Sequence, residues 1–351
     1  MVETHPGWRK ALLQRSSATI GDAIAALDRS GLQIVLAADA DGVLEGTITD
    51  GDIRRGLLRG DTLESSIDGI IQRSPMVAPS DLPEATVRQL MSANKIRQMP
   101  IIDDSGVLVG LYIPDMMGAA QERPNLMVIM AGGKGTRLRP HTQNCPKPLL
   151  EVSGKPMLEH ILENARASGI TNFVVSVHYL GHMIEEYFGD GSKWGVSIDY
   201  VREETPLGTG GSLSLLQERP RAPFLVCNGD VISSVNFAEV VDYHNLHRAV
   251  ATMAVRSHEM RNEFGVVLTD GVEITGFEEK PVVKSYVNAG IYVIDPSALD
   301  LLETNAYCDM PTLFGRIRDR QERTVVFPMH EDWLDVGRPD DLARADQTIT
   351  G

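Results

Sequence analysis

The chain has 351 residues, of which 48 are acidic and 33 basic, so its formal net charge at pH 7 is −15. This charge argues against nucleic acids and anionic membrane surfaces as partners, and 42% hydrophobic with 23% charged residues is typical of a globular protein. The three cysteines lack metal-ligand spacing, and neither a membrane span nor an apolar signal-like N-terminus is found, so we expect a cytoplasmic protein.

A repeated segment occupies the N-terminal third of the chain. Asp41-Gly-Val-Leu-Glu-Gly46 recurs as Ser105-Gly-Val-Leu-Val-Gly110. Helices are predicted over residues 20–30 and 85–95 and strands over 33–37 and 98–102, so each copy of the turn follows a helix and a strand. Because one copy is too small to bury its own sheet, we expect the two to pack as a pseudo-twofold pair.

The remaining residues read as a second domain. Residues 121–125 are short, polar and contain proline, which predicts a linker, and the apolar run 126–131 predicts a buried parallel strand. Helices predicted over 157–167, 183–188, 211–217, 238–247 and 339–347 alternate with strands predicted over 173–178, 196–201, 224–227, 251–255 and 287–294. We therefore expect a paired-repeat domain over residues 1–122 and a Rossmann-like, doubly wound mixed α/β domain over 123–351.

A glycine-rich loop after the first strand of this second domain has the character of a phosphate cradle. Its small residues let the backbone approach a phosphate chain closely, and its cations add positive charge. It differs from the P-loop because glycine, not serine or threonine, follows its lysine. The candidate residues are Gly132, Gly133, Gly135 and Thr136, with Lys134, Arg137 and Arg139 as the cations.

Lys147 is a second candidate for phosphate binding. It stands between two prolines, whose rings restrict the local backbone and aim the lysine side chain. No acidic residue lies between Glu122 and Glu151, so this stretch of an acidic chain is locally basic. The pattern predicts that a small anion binds here.

These motifs resemble those of the sugar-phosphate nucleotidylyltransferase family. The glycine loop at 132–138 and Pro-Lys-Pro at 146–148 are followed, in family order, by PLGTGGSL at 206–213, NGD at 228–230, EEKP at 278–281, VNAGIY at 287–292 and WLDVG at 333–337. The resemblance implies a GT-A-like fold and transfer of a nucleoside monophosphate from a nucleoside triphosphate to a sugar 1-phosphate, with release of pyrophosphate.

The resemblance also implies roles for individual residues. Arg137 and Lys147 act as catalytic cations, and the glycine loop holds the nucleotide. Two carboxylates at strand ends suit Mg²⁺, which prefers oxygen ligands beside phosphates, so Asp230 and Asp335 are its expected ligands. The nucleobase is expected near Gly208, Thr209 and Gly211, and the sugar phosphate near Glu279, Lys280, Asn288 and Gly290. The alternative interpretation is structural: turn and cap aspartates, a surface charge pair and a strand bulge.

The N-terminal repeat resembles a tandem CBS pair, a module that binds adenosyl nucleotides in many proteins. Thr49 and Asp52 match the positions that hold phosphate or ribose, whereas Ile113 and Met116 stand there in the second repeat. We therefore expect at most one intact ribose site for an adenine nucleotide effector. The alternative is a packing or dimerisation module without a ligand.

The two-domain arrangement resembles the glucosamine-1-phosphate guanylyltransferases of legionaminic-acid-type pathways, and residues 206–213 resemble the guanylyl-transferring branch. GTP, a hexosamine 1-phosphate and a homodimer or higher homo-oligomer are thus expected. Other enzymatic interpretations are uridylyl or cytidylyl transfer to another hexose 1-phosphate and guanylyl transfer to mannose or heptose 1-phosphate. A non-catalytic nucleotide sensor is also open, although retention of both the metal site and the phosphate clamp argues against it.

Overall fold

The structure is a computed structural model that describes residues 4–94, 96–114, 122–337 and Asp341. The chain divides into two compact units, Met1–Gly118 and Ala119–Gly351. Among the described residues, none of the helices combines the length and the apolar character needed to cross a membrane.

The first unit is a pair of similar halves. Its strands are β1 (Leu12–Gln14), β2 (Ile34–Ala38), β3 (Leu44–Thr49), β4 (Ala78–Pro79), β5 (Met99–Ile102) and β6 (Leu108–Tyr112), and its helices are α1 (Ile20–Ser30), α2 (Asp50–Arg59) and α3 (Glu84–Asn94). The sheets β1-β2-β3 and β4-β5-β6 each combine one parallel and one antiparallel pairing. The repeat seen in the sequence is therefore a repeat of structure.

The two halves join through their equivalent turns. Val43 and Val107 form an antiparallel bridge, and Gly42 and Gly106 both have a φ of 83°. This left-handed conformation suits glycine because it has no Cβ. Leu108 N donates to Gly42 O at 2.9 Å, and in the symmetric hydrogen bond Leu44 N donates to Gly106 O at 3.1 Å. The repeated turn residues therefore form the pseudo-twofold contact.

The second unit contains most of the regular structure. Its strands are β7 (Arg123–Met130), β8 (Glu151–Val152), β9 (Lys155–Pro156), β10 (Ile170–Val177), β11 (Ser197–Arg202), β12 (Phe224–Asn228), β13 (Val231–Ser233), β14 (Ala251–Arg261), β15 (Val266–Asp270), β16 (Glu273–Glu278), β17 (Val282–Ile294), β18 (Thr324–Met329) and β19 (Trp333–Asp335). Its helices are α4 (Met157–Ala167), α5 (Gly181–Phe188), α6 (Gly208–Gly211), α7 (Phe237–His247) and α8 (Met310–Asp319).

A mixed seven-stranded sheet forms the centre of this unit, in the order β11-β10-β7-β12-β17-β14-β18. Its first four strands are parallel, and β17 runs antiparallel to both neighbours. Alternate residues of β7 point to opposite faces: Ile129 packs in the core that contains α4 residue Leu158, and Val128 packs in the core that contains α8 residue Leu313. The expected doubly wound mixed α/β sheet is confirmed.

The chain order changes direction next to β7, whose neighbours are β10 and β12. At such a switch point, the connections from adjacent strands leave toward opposite faces and open a crevice at the carboxyl ends of the strands. The glycine-rich loop follows β7 directly. This topology positions the predicted phosphate cradle at the crevice.

The predicted linker over 121–125 was wrong for its last three residues, which belong to β7. Tertiary contacts explain the difference. Arg123 makes two hydrogen bonds to the carboxylate of Asp242, and Asn125 Nδ2 donates to Pro223 O at 2.7 Å. The pairing with β10 shifts register opposite Pro124, between Ile170 and Asn172, where proline has no N–H to donate.

The helix predicted over 211–217 was also wrong in its position. The α-helical turn is α6, and a 3-10 helix over Ser212–Leu215 follows it. The N–H groups of Gly210 and Gly211 donate to Cys308 O, at 2.9 and 2.8 Å, instead of extending a regular helix. The helix predicted over 339–347 lies outside the described residues, apart from Asp341.

Candidate active site

A cavity of about 230 Å³ lies at the carboxyl ends of β7 and β12. Its walls come from the glycine-rich loop, the Pro-Lys-Pro segment, the loop after β11 and the end of β12. The lining residues are Met130, Ala131, Gly132, Gly133, Lys147, Pro148, Glu203, Pro206, Gly208, Thr209, Asn228, Gly229 and Asp230. The structure thus brings together four sequence motifs separated by up to about a hundred residues.

The glycines of the loop differ in how much space surrounds them. A Cβ at position 132 would lie 2.9 Å from Glu203 Oε1, and one at position 135 would lie 2.8 Å from Thr142 Cγ2, so both positions exclude side chains. Gly135 also has a φ of 59°, and its carbonyl accepts a 2.8 Å hydrogen bond from Thr142. A Cβ at Gly133 would meet no atom within 4 Å, which leaves this lining position open to a ligand.

Lys147 and Asp230 form an ion pair in the wall of the cavity. The lysine ammonium donates to Asp230 Oδ2, and the lysine side chain is only 10% exposed. The lysine begins a 3-10 helix over Lys147–Leu149 that contains the second proline of the motif. A cation and an anion held together at a ligand cavity can exchange partners when a phosphate enters.

Asp335 lies beside this ion pair because β13 and β19 form an antiparallel ribbon. The ribbon pairs Val231 with Asp335, and Val336 N donates to Asp230 O at 3.2 Å. Burial raises the pKa of Asp335, and the nearby charge of Asp230 adds to this effect, while Lys147 and Arg137 oppose it. The ribbon therefore brings together two carboxylates that are distant in sequence.

Arg137 reaches the same cluster from the glycine-rich loop. Both Arg137 Nη1 and Asp335 Oδ1 lie beside Gly337, each 3.6 Å from the position that a Cβ would take there. Arg137, Lys147, Asp230 and Asp335 are all brought to one edge of the sheet. The two carboxylates supply oxygen ligands of the kind that a hard divalent cation needs, and such a cation would relieve their mutual repulsion.

Glu203 and Asn228 line the cavity although neither was a predicted site residue, and Asn228 had been noted only as part of the NGD motif. Glu203 accepts hydrogen bonds from Ser176 Oγ at 2.7 Å and Leu207 N at 2.8 Å, so its carboxylate is held in place. Asn228 Oδ1 is buried without a hydrogen-bond partner among the described residues. The available signal was positional: Asn228 ends a buried strand, and Glu203 precedes the PLGTGGSL motif.

Only some of the residues expected around the nucleobase line the cavity. Gly208 and Thr209 line the cavity, whereas Gly211 does not. A Cβ on Gly211 would lie 2.5 Å from Ala306 O, so this glycine permits close packing of two backbones. Thr136 is exposed at the start of a 3-10 helix over Thr136–Leu138 and is likewise outside the lining.

The residues expected around the sugar phosphate also fall into two groups. Asn288 and Gly290 lie on β17, and a Cβ on Gly290, whose φ is 73°, would lie 2.8 Å from Asn228 Nδ2. Glu279 and Lys280 lie in the exposed connection between β16 and β17, away from the lining. Of these four residues, Gly290 lies beside the cavity residue Asn228, and Asn288 Oδ1 accepts a hydrogen bond from Gly290 N at 3.0 Å.

In the first unit, Thr49 and Asp52 bind each other at the start of α2. The Thr49 N–H and hydroxyl donate to Asp52 Oδ2 at 2.8 and 2.7 Å, and Arg55 Nη2 donates to Asp52 Oδ1 at 2.5 Å. This capping arrangement satisfies N-terminal groups of the helix. It also accounts for both residue types without a ligand.

Comparison with known proteins agrees with this geometry. A nucleotidyl transferase family model matches residues 126–351, and a CBS domain model matches residues 67–112. Mannose-1-phosphate guanyltransferases of Candida albicans and Yarrowia lipolytica are 37% and 38% identical over 224 and 223 residues. These matches cover 61% of this chain and 62% and 61% of the two relatives, so the chain spans less than two thirds of their length.

Solved structures show the same fold. A Bacillus anthracis protein with the provisional name glucose-1-phosphate thymidylyltransferase superposes with a TM-score of 0.52 at 25% identity, covering 63% of this chain and 94% of that one. HddC from Yersinia pseudotuberculosis gives 0.50 at 21% identity, covering 64% and 99%. The family model extends over nearly the whole second unit and includes every residue of the cavity, and the chain therefore belongs to the nucleotidyl transferase family.

Proposed function

We propose that the protein transfers GMP from GTP to a sugar 1-phosphate and releases pyrophosphate. The observation that carries this proposal is the cavity at the switch point, where the glycine-rich loop adjoins Lys147, Asp230 and Asp335. Family membership and the names of the guanyltransferase relatives support the same reaction class.

In the proposed reaction, a phosphate oxygen of the sugar 1-phosphate forms a bond to the α-phosphorus of GTP. The bond from that phosphorus to the bridging oxygen of the β-phosphate breaks, and pyrophosphate leaves. A phosphate monoester has a second pKa of about 6, so the nucleophile is already deprotonated at neutral pH and needs no general base. Lys147 and Arg137 would offset the repulsion between the two anions.

Asp230 and Asp335 are the proposed ligands of Mg²⁺. When bound, Mg²⁺ supplies charge neutralisation to the phosphates of the nucleotide. Asp230 already has Lys147 as a hydrogen-bond donor, and Asp335 has Arg137 nearby. The chain's own residues would thus orient both carboxylates toward the phosphates.

Glu203 provides a physical reason to favour guanine. The Watson–Crick edge of guanine presents two adjacent donors, N1–H and the 2-amino group, which match the two oxygens of a carboxylate. Uracil presents one N–H donor between two carbonyls, and these would repel a carboxylate. Each oxygen of Glu203 has further lone pairs beyond the bonds to Ser176 and Leu207 N.

For the sugar, we propose mannose 1-phosphate as the first substrate to test, because the curated relatives are named mannose-1-phosphate guanyltransferases. Glucosamine 1-phosphate, which the domain arrangement led us to expect, is the second. Asn228, whose Nδ2 faces Gly290 and whose Oδ1 has no hydrogen-bond partner among the described residues, is the proposed contact to a hydroxyl or amino group of either sugar.

The test is pyrophosphate release with Mg²⁺, measured for all four ribonucleoside triphosphates and for TTP against both sugars, glucose 1-phosphate and heptose 1-phosphate. We expect turnover with GTP and one of the first two sugars. Turnover with UTP or CTP in preference to GTP would overturn the guanine assignment. Nucleotide binding without turnover for every pair would favour the nucleotide sensor.

For the first unit, we propose binding of an adenine nucleotide near Thr49 and Asp52 and a regulatory role in a homo-oligomer. The CBS model matches residues 67–112, which do not include Thr49 and Asp52, so the match supports the type of module and not these two residues. The helix-capping role of both residues supports the alternative of a ligand-free module. Calorimetry with AMP and ATP should show binding that weakens in Asp52→Asn. Absence of heat with either nucleotide would favour the ligand-free module.

A further inference from the structure

Thr142 is a fully buried polar residue that belongs neither to the sequence motifs nor to the lining of the cavity. It lies between the glycine-rich loop and the Pro-Lys-Pro segment. Its hydroxyl donates to Gly135 O at 2.8 Å. Because burial of a hydroxyl is costly unless the group is hydrogen-bonded, this contact explains why a threonine is tolerated here.

The contact holds a residue that has little conformational preference of its own. Gly135 has a φ of 59°, and glycine adopts positive and negative φ about equally readily. Thr142 Cγ2 lies 2.8 Å from the position that a Cβ on residue 135 would take, so the methyl group packs directly against this glycine. The hydrogen bond and the methyl contact together favour one conformation of the glycine-rich loop.

Thr142 also connects the glycine-rich loop to Lys147. Lys147 Cβ lies 3.2 Å from the same position beside Gly135, so the threonine and the lysine pack against one side of the glycine. A rotation of Gly135 would therefore disturb the packing of Lys147, whose ammonium pairs with Asp230. The buried threonine thus lies where the two predicted phosphate-binding segments meet.

The segment that carries Thr142 is itself anchored to the rest of the unit. Gln143 N donates to Pro140 O at 3.0 Å, which closes a turn. Tyr179, in the connection between β10 and α5, donates from its hydroxyl to Gln143 O at 2.9 Å. A ligand site is held precisely when the residues behind it are locked by packing and hydrogen bonds, and Thr142 meets both conditions.

We propose that Thr142 is a positioning residue that holds Gly135, so that the glycine-rich loop already has the shape that the triphosphate chain of GTP requires. This role rests on the proposed function, because the loop is taken to be the phosphate site. Groups that are already in place need no reorganisation when the ligand binds. Loss of the Thr142 hydroxyl should therefore weaken phosphate binding without removing a group that lines the cavity.

The test is calorimetry of the full-length protein with GTP and with GMP, in Mg²⁺ and without a sugar phosphate. Thr142→Val keeps the shape and removes the hydroxyl, and Gly135 O still accepts from Leu138 N at 2.9 Å, so the fold should tolerate this change. The dissociation constant of GMP divided by that of GTP measures what the two terminal phosphates contribute. We expect this ratio to fall about tenfold in Thr142→Val, as for the loss of one hydrogen bond, at unchanged stoichiometry. Thr142→Ser keeps the hydroxyl and should recover most of the ratio.

The matched control is Thr171→Val, at the opposite end of β10 from the cavity. The Thr171 hydroxyl donates to Glu122 Oε1 at 2.8 Å, and its loss should leave the ratio unchanged. A purely structural role of Thr142 would reduce the number of sites or weaken both nucleotides equally, so an unchanged ratio in Thr142→Val would overturn the proposal. An equal fall in Thr142→Ser or in Thr171→Val would also contradict it. If the wild type bound GTP no more tightly than GMP, the proposed phosphate site itself would fail, an outcome distinct from the other failures.

Discussion

Lys147, Arg137, Asp230 and Asp335 form a cluster of two cations and two carboxylates at the cavity. Lys147 donates to Asp230, and the positive charges of Lys147 and Arg137 oppose the rise in the pKa of Asp335. A clustered arrangement of this kind costs little reorganisation when phosphates arrive, because the cations and carboxylates are already in position. Substitutions here should therefore affect turnover far more than folding.

Asp230→Asn removes one of the two carboxylates while keeping the shape of the side chain. We expect turnover to fall by about 10²–10³-fold, the range seen when a single charge-stabilising group is removed. Pyrophosphate release measures the loss, and thermal unfolding checks the fold. The control is Asp199→Asn, an exposed carboxylate on β11 that should leave the rate unchanged. A nearly normal rate in Asp230→Asn would remove this residue from the proposed metal site.

Glu203→Gln tests how the base is read. The amide oxygen of glutamine can still accept a hydrogen bond from Ser176 or Leu207 N. Its NH₂ group, however, would face the N–H donors of guanine, and two donors cannot form a hydrogen bond with each other. We expect kcat/KM for GTP to fall about 10–100-fold, corresponding to about 1–3 kcal/mol for an unsatisfied buried group. Any residual activity with UTP should fall less, and an equal loss for both nucleotides would mean that Glu203 only supports the loop.

At the scale of elements, helix α7 is joined to β14 through a buried histidine. His244 is 2% exposed, and its Nδ1 lies 2.9 Å from Thr252 Oγ1. Burial lowers the pKa of His244 to about 4, against an ordinary value of 6.5. Above pH 6.5 the His244 imidazole is neutral in both the folded and the unfolded chain. Protonation of this residue therefore does not reduce the free energy of unfolding in that range.

Acid should therefore destabilise the protein through His244. Between pH 6.5 and about 4, the unfolded chain binds a proton at this residue that the folded chain does not, so stability falls by up to about 3 kcal/mol. Urea unfolding at pH 7 and pH 5 should show a smaller pH dependence in His244→Gln than in the wild type. The exposed His258→Gln is the control, and an identical pH dependence in all three proteins would exclude this role.

The paired turns of the first unit give a second prediction at this scale. Gly106 has a φ of 83°, where a residue with a Cβ is strained. Gly106→Ala should lower the free energy of unfolding by about 1–2 kcal/mol. Gly69→Ala is the control, since a Cβ there would meet nothing within 4 Å and its φ lies outside the left-handed region. Chemical denaturation of the two variants checks the difference; equal stability would mean that the turn relaxes without cost.

For the whole molecule, the net charge of −15 and the basic stretch between Glu122 and Glu151 act on different partners. The overall field repels a long polyanion, whereas a nucleotide meets only the local field of the cavity. Fluorescence anisotropy at 0.15 M salt should therefore show binding of labelled GTP with Mg²⁺ and no binding of a 30-nucleotide RNA. RNA binding at comparable affinity would contradict this assignment of partners.

Much of the fold was readable from local patterns. The helices over 20–30 and 157–167 have the bounds that their apolar periodicity predicted. The alternation of strands and helices predicted the doubly wound sheet, and the glycine loop with its cations predicted a phosphate site. These features are local because burial of one face, a tight turn and a dense run of cations are each encoded within a few consecutive residues.

Contacts between distant segments were decided only by the tertiary structure. The strand order β7-β12 places Asn228 and Asp230 beside the glycine loop, and the β13–β19 ribbon places Asp335 next to Asp230. The same packing draws residues 123–125 into β7 and leaves residues 257–287 exposed as an arm. Periodicity within one segment indicates which face is buried, but the neighbour that covers the face depends on strand order and register. The sequence by itself thus determined the family and predicted a phosphate site, while the packing of the sheet decided which carboxylates meet and which apolar surface remains uncovered.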